Sequence, residues 1–347
     1  MDYRPSTIDF LPSTMTKTKT ITLGEIMMRL SAPGFARFTQ AQSFNVVYGG
    51  SEANVSVSLC HFGLQAAHVT RFPDNDIGRT AVQTLNRYGV DTHHIVYGDE
   101  RMGLYFLENG AIHRASRIIY DRFNSAFAHI KPGMIDWETV FKDAGWFHWT
   151  GITPAISQGA ADVCLEAIRE ARKQGLQISG DINYRRNLWQ YGKEAGDIMP
   201  ALIEHTDYII AGITDFENCL GITGNDYTSA CQKVMKANPN IKKIASTLRD
   251  SISSSHNKIT GMIWNGKELL QSREYDLTHI VDRVGAGDAF MAGLIYGWLT
   301  KKTDQQTVEF ATAASALKHT IEGDVNTATA EEVENLVKGE NIGKLLR

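Results

Sequence analysis

The chain has 347 residues and a net charge of −4, with no basic run along its length. A chain of this length can bury a large core, and the charge argues against a nucleic-acid-binding protein. No apolar run approaches the length that crosses a membrane, so we expect a soluble, cytoplasmic protein. The four cysteines lack Cys-x-x-Cys spacing, which predicts reduced core thiols.

The first residues differ in composition from the rest of the chain. Residues 1–20 are rich in Ser, Thr and Pro and lack the apolar segment of a signal peptide. We expect them to be a leader or a disordered terminus, with Met15 as a candidate natural start and residues 1–14 as a non-native addition. Residues 21–347 then form one domain.

Strand patterns alternate with helix patterns along most of that domain. The segments expected as strands are residues 21–30, 66–72, 146–149, 176–182, 207–211 and 243–248, with a β-ribbon around Asn265-Gly266. The segments expected as helices are residues 51–61, 77–88, 157–173, 194–205, 215–220, 227–236, 286–298, 305–320 and 330–338. This order predicts an α/β fold in which a doubly wound, mostly parallel sheet is flanked by helices.

The alternation is interrupted by a β-rich part. Residues 92–122 contain short strand-like runs separated by turns, and Asn109-Gly110 is typical of a β-hairpin. Together with residues 29–47, this part predicts a small sheet beside the main one, placed as a lid over one of its ends. If the exposed face of that sheet is apolar, two lids are expected to pair in a homo-oligomer.

The most informative motif is the turn of Gly285, Ala286 and Gly287, which runs through Asp288 into an apolar helix. Unpaired N–H groups at a helix start attract anions, and glycines let a phosphate approach the backbone. A carboxylate among such donors repels phosphate, so Asp288 is better suited to accept a proton from an attacking hydroxyl. The alternative is an ordinary capped helix, since Gly-x-Gly turns and N-terminal Asp residues are common.

Two further helix or strand ends carry candidate binding residues. Gly50 and Asn54 stand where a glycine turn enters a helix, which suits either a close approach to a polyol or an ordinary cap. Arg185 follows a predicted strand, where it could bind a carboxylate or phosphate in a bidentate manner or take part in a surface salt bridge.

The predicted lid and one later strand supply the remaining candidates. Tyr105, Tyr120 and Arg122 could close over an anionic sugar, although a solvated strand edge would show the same pattern. Thr247 and Arg249, on the strand predicted at residues 243–248 and just after it, could reach a nucleotide, and their pattern alone is a weak signal.

Taken together, these residues resemble the PfkB, or ribokinase-like, family of carbohydrate kinases. The resemblance covers residues 21–337 and rests on Gly49-Gly50 with Asn54 near the start, and on Asp282 with the turn that ends at Asp288. Within the family, the chain is most similar to members that phosphorylate 2-keto-3-deoxygluconate. The segments that carry this closer similarity are residues 24–25, 151–155, 181–185, 188–189 and 281–284.

The resemblance implies an activity and a role for each matched residue. The activity is ATP-dependent phosphorylation of the terminal hydroxyl of a small sugar acid, with Mg²⁺ and with a K⁺ requirement left open. Asp288 would be the general base, and the N–H groups of Gly285, Ala286 and Gly287 would form the anion hole. The sugar acid would be held by Gly50, Asn54, Tyr105, Tyr120, Arg122 and Arg185. The ATP would contact Thr247, Arg249, Thr312 and the residues from Gly285 to Asp288.

Two positions depart from the family pattern. Gly212 and Asp215 stand where the family usually has Asn-x-x-Glu, so any water-mediated magnesium contact would fall to Asp215. Thr312 stands where an asparagine is expected near the adenine. The alternatives to a sugar-acid kinase are a fructokinase or another kinase of the family, and a non-catalytic sugar-acid-binding protein. A nicotinamide-dependent enzyme is disfavoured because the early Gly-x-Gly-x-x-Gly is missing.

Overall fold

The computed structural model describes residues 19–340, so the leader predicted at residues 1–20 lies almost entirely outside the described part. Within residues 19–340, no helix combines the length and the apolar character needed to cross a membrane.

The larger sheet contains nine strands in the described part, in the order β14-β13-β12-β11-β10-β9-β1-β4, with β15 also paired to β13. The pairs from β4 to β12 are parallel, and those of β13 are antiparallel. This confirms the predicted mostly parallel sheet. The strand bounds are β1 Lys19–Leu23, β4 Ala66–Val69, β9 Ala144–Thr150, β10 Gln177–Asp181, β11 Tyr208–Ile210, β12 Lys243–Ser253, β13 His256–Trp264, β14 Leu269–Gln271 and β15 Tyr275–Leu277.

Helices cover both faces of this sheet. Strand β9 shows why, because Trp146 packs into the core on one face and the next residue, Phe147, into the core on the other. The helix bounds are α1 Ser51–His61, α2 Asp76–Arg87, α3 Trp137–Phe141, α4 Ile152–Ile156, α5 Gln158–Lys173, α6 Ala195–Ile203, α7 Ile213–Leu220, α8 Tyr227–Ala237, α9 Ala286–Leu299, α10 Asp304–Lys318 and α11 Ala330–Lys338.

A separate sheet of four strands confirms the predicted small sheet. Its order is β3-β2-β7-β8, with β2 at Met27–Ser31, β3 at Asn45–Gly49, β7 at Gly103–Glu108 and β8 at Arg117–Asp121. A shorter ribbon pairs β5 (Arg71–Pro73) with β6 (Val96–Gly98).

Three local predictions are corrected by the structure. The strand expected at residues 66–72 is divided into β4 of the large sheet and β5 of the shorter ribbon. The single strand expected at residues 21–30 is broken into β1 in the large sheet and β2 in the small one. The break starts at Gly24, where any Cβ would overlap the carboxylate of Glu52, so the chain turns there around a buried side chain. Strands β7 and β8 do pair antiparallel, but residues 109–116 join them, so Asn109-Gly110 begins a long loop and is not a two-residue hairpin turn.

Candidate active site

The N-termini of α1 and α9 meet beyond the carboxyl ends of the parallel strands, where ligands of such sheets bind. Asp288, in the first turn of α9, accepts a hydrogen bond from Ser51 Oγ at 2.5 Å and another from Asn54 Nδ2 at 2.7 Å. Burial raises the pKa of Asp288 to about 6, although these two hydrogen bonds oppose the rise. A carboxylate with this pKa is ionised at neutral pH and can still accept a proton.

The turn before Asp288 has the geometry of an anion hole. Gly285 has φ +81°, and a Cβ there would overlap the carbonyl oxygen of Asp324. Of the three N–H groups predicted to form the hole, those of Gly285 and Gly287 have no acceptor within residues 19–340, whereas that of Ala286 makes a long bond of 3.4 Å to Arg283 O. The N–H of Asp288 also has no acceptor there. A Cβ on Gly287 would meet open space. The turn therefore presents free donors beside an open volume.

Other carboxylates lie close to Asp288. Glu52 is buried and accepts hydrogen bonds from Thr150 and Thr153, and its burial raises its pKa to about 7. The pKa of Asp181, at the end of β10, lies well above its ordinary value because of burial and the nearby charges of Asp215 and Asp288. In the described part of the chain, the carboxylate of Asp181 receives no hydrogen bond. Burial therefore favours the neutral forms of these carboxyl groups, and the positive charge of Arg185 opposes that effect at Asp181.

Asp215 has a structural role that its sequence position did not reveal. One of its oxygens accepts the N–H of Gly212 at 2.7 Å and the other that of Tyr184 at 3.0 Å. The carboxylate thus caps α7 and holds the loop after β10 in place.

Three arginines form a group of positive charge in the same region. Desolvation lowers the pKa of Arg249, and the charges of Arg283 and Arg185 lower it further. Arg283 donates a hydrogen bond to Ser254 O, whereas Arg185 and Arg249 form no ion pair within residues 19–340. Cations held together without a carboxylate partner favour binding of an anionic ligand.

The small sheet is tied to the anion turn by a buried ionic network. Arg29, on β2, binds Asp282 Oδ2 at 2.6 Å and Asp324 Oδ1 at 2.7 Å. Tyr105, its neighbour on β7, donates its hydroxyl to Asp324 Oδ2 at 2.5 Å. Tyr120, opposite Tyr105 on β8, is half exposed with its ring centroid 5.8 Å from that of Tyr105.

Some candidate residues from the sequence have other partners in the structure. Arg122 is buried and binds Glu25 Oε2 at 2.6 Å. Thr312 is fully buried and donates its hydroxyl to Val308 O, so its side chain cannot contact a nucleotide here, contrary to the prediction. The N–H of Gly50 points to Asn54 Oδ1 at 3.4 Å, and Asn54 in turn positions Asp288. Thr247 is exposed in the middle of β12, on the same strand as Arg249.

The geometry places a buried carboxylate beside free backbone N–H groups, and the family follows from the sequence as a whole. A model of the pfkB family of carbohydrate kinases matches residues 17–330. The chain belongs to this family. It is therefore a sugar kinase, with the α/β fold that the family shares.

Individual relatives are similar over almost their entire length. A crystal structure of 2-dehydro-3-deoxygluconokinase from Thermotoga maritima is 41% identical, with a TM-score of 0.89 and coverage of 93% of this chain and 100% of that one. A 2-dehydro-3-deoxygalactonokinase of Haloferax volcanii is 28% identical over 93% of this chain and 98% of the relative. A putative ribokinase II from E. coli, in complex with ATP and Mg²⁺, is 20% identical with a TM-score of 0.79 over 93% of this chain and 100% of that one, which shows a shared fold.

Several residues at the site of this PfkB kinase were not singled out from the sequence. Ser51, Glu52 and Asp181 lie inside motifs that were recognised, but a local pattern does not say which polar residue turns inward. Arg29 and Asp324 had no signal at all, since they are 295 positions apart and meet only in the folded chain.

Proposed function

We propose that this kinase transfers the γ-phosphoryl group of ATP to the terminal hydroxyl of 2-keto-3-deoxygluconate (2-dehydro-3-deoxygluconate), forming the 6-phosphate. The observation that carries the proposal is Arg185, an exposed arginine that forms no ion pair in the described chain and whose charge acts on Asp181, at the same end of the sheet as Asp288. A sugar with a carboxylate supplies the missing partner, and a neutral sugar leaves it unpaired. The names of the similar proteins from Thermotoga maritima and Haloferax volcanii support a keto-deoxy sugar acid.

In the proposed mechanism, Asp288 accepts the proton of the sugar hydroxyl while the hydroxyl oxygen bonds to the γ-phosphorus. The bond from that phosphorus to the bridging oxygen of ADP breaks in the same in-line displacement. The free N–H groups of Gly285, Gly287 and Asp288 bind the oxygens of the phosphoryl group as charge develops on them. Ser51 and Asn54 hold the carboxylate of Asp288 in one orientation.

The nucleotide and its metal ion have candidate partners as well. We propose that Arg249 and Arg283 bind the phosphates of ATP, with Thr247 nearby on β12. Mg²⁺ neutralises phosphate charge when bound, and it usually contacts proteins through one or two carboxylates. Asp181 suits that contact better than Asp215, because the carboxylate of Asp215 already accepts two backbone N–H groups. No cluster of three or more metal-binding side chains occurs in residues 19–340.

The direct test is a substrate panel in an assay that measures ADP release. The panel contains 2-keto-3-deoxygluconate, its galactonate epimer, 5-keto-2-deoxygluconate, fructose and ribose. The expected result is the highest kcat/KM for a 2-keto-3-deoxy sugar acid. A clear preference for fructose would replace the proposal with the fructokinase alternative. The absence of ADP release with every sugar of the panel would favour a non-catalytic sugar-acid-binding protein.

The role of Arg185 is tested by the substitution Arg185→Gln. Loss of a charge-assisted hydrogen-bonded pair of about 1.5–3 kcal/mol should raise KM for the sugar acid about 10-fold to 100-fold. KM for ATP should change little. The matched control is Arg186→Gln, which removes the neighbouring exposed arginine and should leave both constants near their wild-type values. A rise in KM for ATP alone would reassign Arg185 to the nucleotide.

We further propose that the small sheet forms a homodimer interface. On the face opposite Arg29 and Tyr105, paired positions give one apolar row across all four strands, made of Val46, Leu30, Phe106 and Ile119. Val46 and Ile119 are more than half exposed. A second copy of the same sheet is the occupant that matches such a row in chemistry and in shape.

Light scattering tests this interface. The wild-type protein should have about twice the 38.5 kDa mass of one chain, and the double variant Val46→Lys with Ile119→Lys should have the mass of a monomer. Ile77→Lys, which places the same charge on the exposed surface of α2, is the control and should stay dimeric. A monomeric wild-type protein would contradict the proposal.

A further inference from the structure

Lys318, the last residue of α10, is completely buried. Its ammonium group lies 2.9 Å from Ile321 O and 3.4 Å from Asp282 O. No carboxylate oxygen lies within 4 Å of it among residues 19–340. A buried lysine is rarely left without an ion-pair partner, because desolvation of its charge is costly. Here backbone carbonyls take the place of that partner.

Both carbonyls belong to segments that shape the anion hole. Asp282 comes three residues before Gly285, and Ile321 lies in the loop that leads to Asp324. The carbonyl of Asp324 packs against Gly285, and Lys318 Cε lies 3.4 Å from the place where a Cβ of Gly285 would be. Lys318 therefore joins the two segments whose contact fixes the turn.

The carboxylates nearest to Lys318 do not form a salt bridge with it. Asp282 and Asp324 are already bound by Arg29. Desolvation lowers the pKa of Lys318, while the charges of Asp282, Asp324 and Asp288 oppose this effect and that of Arg29 adds to it. In return, the charge of Lys318 lowers the pKa of Asp288, which shows that its field reaches the proposed base.

We infer that Lys318 is a built-in ammonium ion that holds the Gly285 turn in its anion-binding shape, so that the kinase needs no bound monovalent metal ion there. Carbonyl oxygens are the ligands that such an ion would use, and the lysine occupies them permanently. Lys318 is a positioning residue, since it acts through the turn and does not touch the substrate. The inference rests on the proposed role of this turn as the phosphoryl site.

The test measures kcat and KM in KCl, NaCl and choline chloride at one ionic strength, with the sugar that the panel shows to be phosphorylated best. The wild-type kcat should be the same in all three salts. Lys318→Met, which keeps the length and removes the charge, should lower kcat about 10-fold to 100-fold with little change in KM for the sugar. Lys318→Ala should regain activity with ammonium or potassium chloride, but not with choline, which is too large for the space.

Lys302→Met is the matched control, because it removes a partly buried lysine beyond the far end of α9. It should keep the wild-type kcat, and thermal unfolding reports whether each variant folds. A wild-type enzyme that depends on K⁺ would overturn the inference even if neither Lys318 variant folded. A folded Lys318→Met variant with normal kcat would also overturn it. The same holds for a folded Lys318→Ala variant whose kcat is not restored by any small cation. Because every rate is compared with wild type on its best sugar, an error in the proposed substrate would not mimic these results.

Discussion

Replacement of Asp288 by asparagine is expected to lower kcat about 10²–10⁴-fold, the usual cost of losing a positioned general base. The amide has the same size, and it can accept a hydrogen bond from Asn54 Nδ2 while donating one to Ser51 Oγ, so KM for ATP and for the sugar should stay close to wild type. Steady-state kinetics with both substrates measure the two effects separately. Near-normal kcat in this variant would contradict the assignment of Asp288 as the base.

The control for this variant is Asp76→Asn, which changes an exposed carboxylate in the first turn of α2. It should keep full activity. Thermal unfolding at pH 8 separates catalysis from stability. Because burial raises the pKa of Asp288 above its ordinary value, the ionised carboxylate destabilises the folded protein at pH values above that pKa. Asp288→Asn should therefore unfold at a temperature no lower than wild type.

The pH dependence of wild-type kcat/KM follows from the same pKa. The base must be ionised, and its pKa is raised to about 6, so kcat/KM should be constant above that pH and fall about tenfold per pH unit below it. Asp181 and Glu52 also have raised pKa values. The acidic fall of kcat/KM therefore reports the titration of several interacting carboxyl groups and not of Asp288 alone. The residual kcat/KM of the Asp288→Asn variant should depend much less on pH in this acidic range.

Gly285→Ala is expected to abolish measurable phosphorylation and to destabilise the protein. Gly285 has a left-handed conformation, which costs a residue with a side chain about 1–2 kcal/mol. The added Cβ would also overlap the carbonyl oxygen of Asp324, so the turn and the loop that contains Asp324 must move apart. That movement displaces the free N–H groups that bind the phosphoryl oxygens.

Two other glycines separate the cost of the left-handed backbone from the effect of the clash with Asp324. Gly133 has φ +80° with open space around a Cβ, so Gly133→Ala should show the backbone cost alone and keep its activity. Gly287 has open space and no left-handed backbone, so Gly287→Ala should unfold like wild type but lose activity, because its methyl group occupies the phosphoryl volume. Equal behaviour of the Gly285 and Gly133 variants would contradict the predicted clash. A fully active Gly287→Ala would contradict the position of the anion hole.

The general architecture was predictable because it depends on periodic local signals. Alternating strand and helix patterns indicated the parallel sheet, and short β-rich runs indicated the small sheet. The split between β1 and β2 was not predictable, because the packing of Gly24 against Glu52, a residue of the distant helix α1, causes it. Asn109-Gly110 predicted a tight hairpin turn because the dipeptide is a strong local signal. The structure has a longer loop at this place, which the local signal does not show.

The candidate site likewise contains residues that could be predicted from the sequence and residues that could not. Asp288 and its turn are contiguous in sequence, so the motif could be found without a structure. The network of Arg29, Asp282 and Asp324 joins segments from both ends of the domain and leaves no sequence pattern. Thr312 was placed by family resemblance, and the close packing of its hydroxyl against Gly261 keeps it inside the core.

Phosphorus NMR of the reaction tests the proposed phosphoryl transfer from ATP to the terminal hydroxyl of a keto-deoxy sugar acid. Wild-type protein with ATP, Mg²⁺ and 2-keto-3-deoxygluconate should produce ADP and an equal amount of a phosphate monoester coupled to the protons of carbon 6. Asp288→Asn should produce neither at a comparable rate. Free inorganic phosphate in place of the monoester, or a monoester at another carbon, would contradict this reaction.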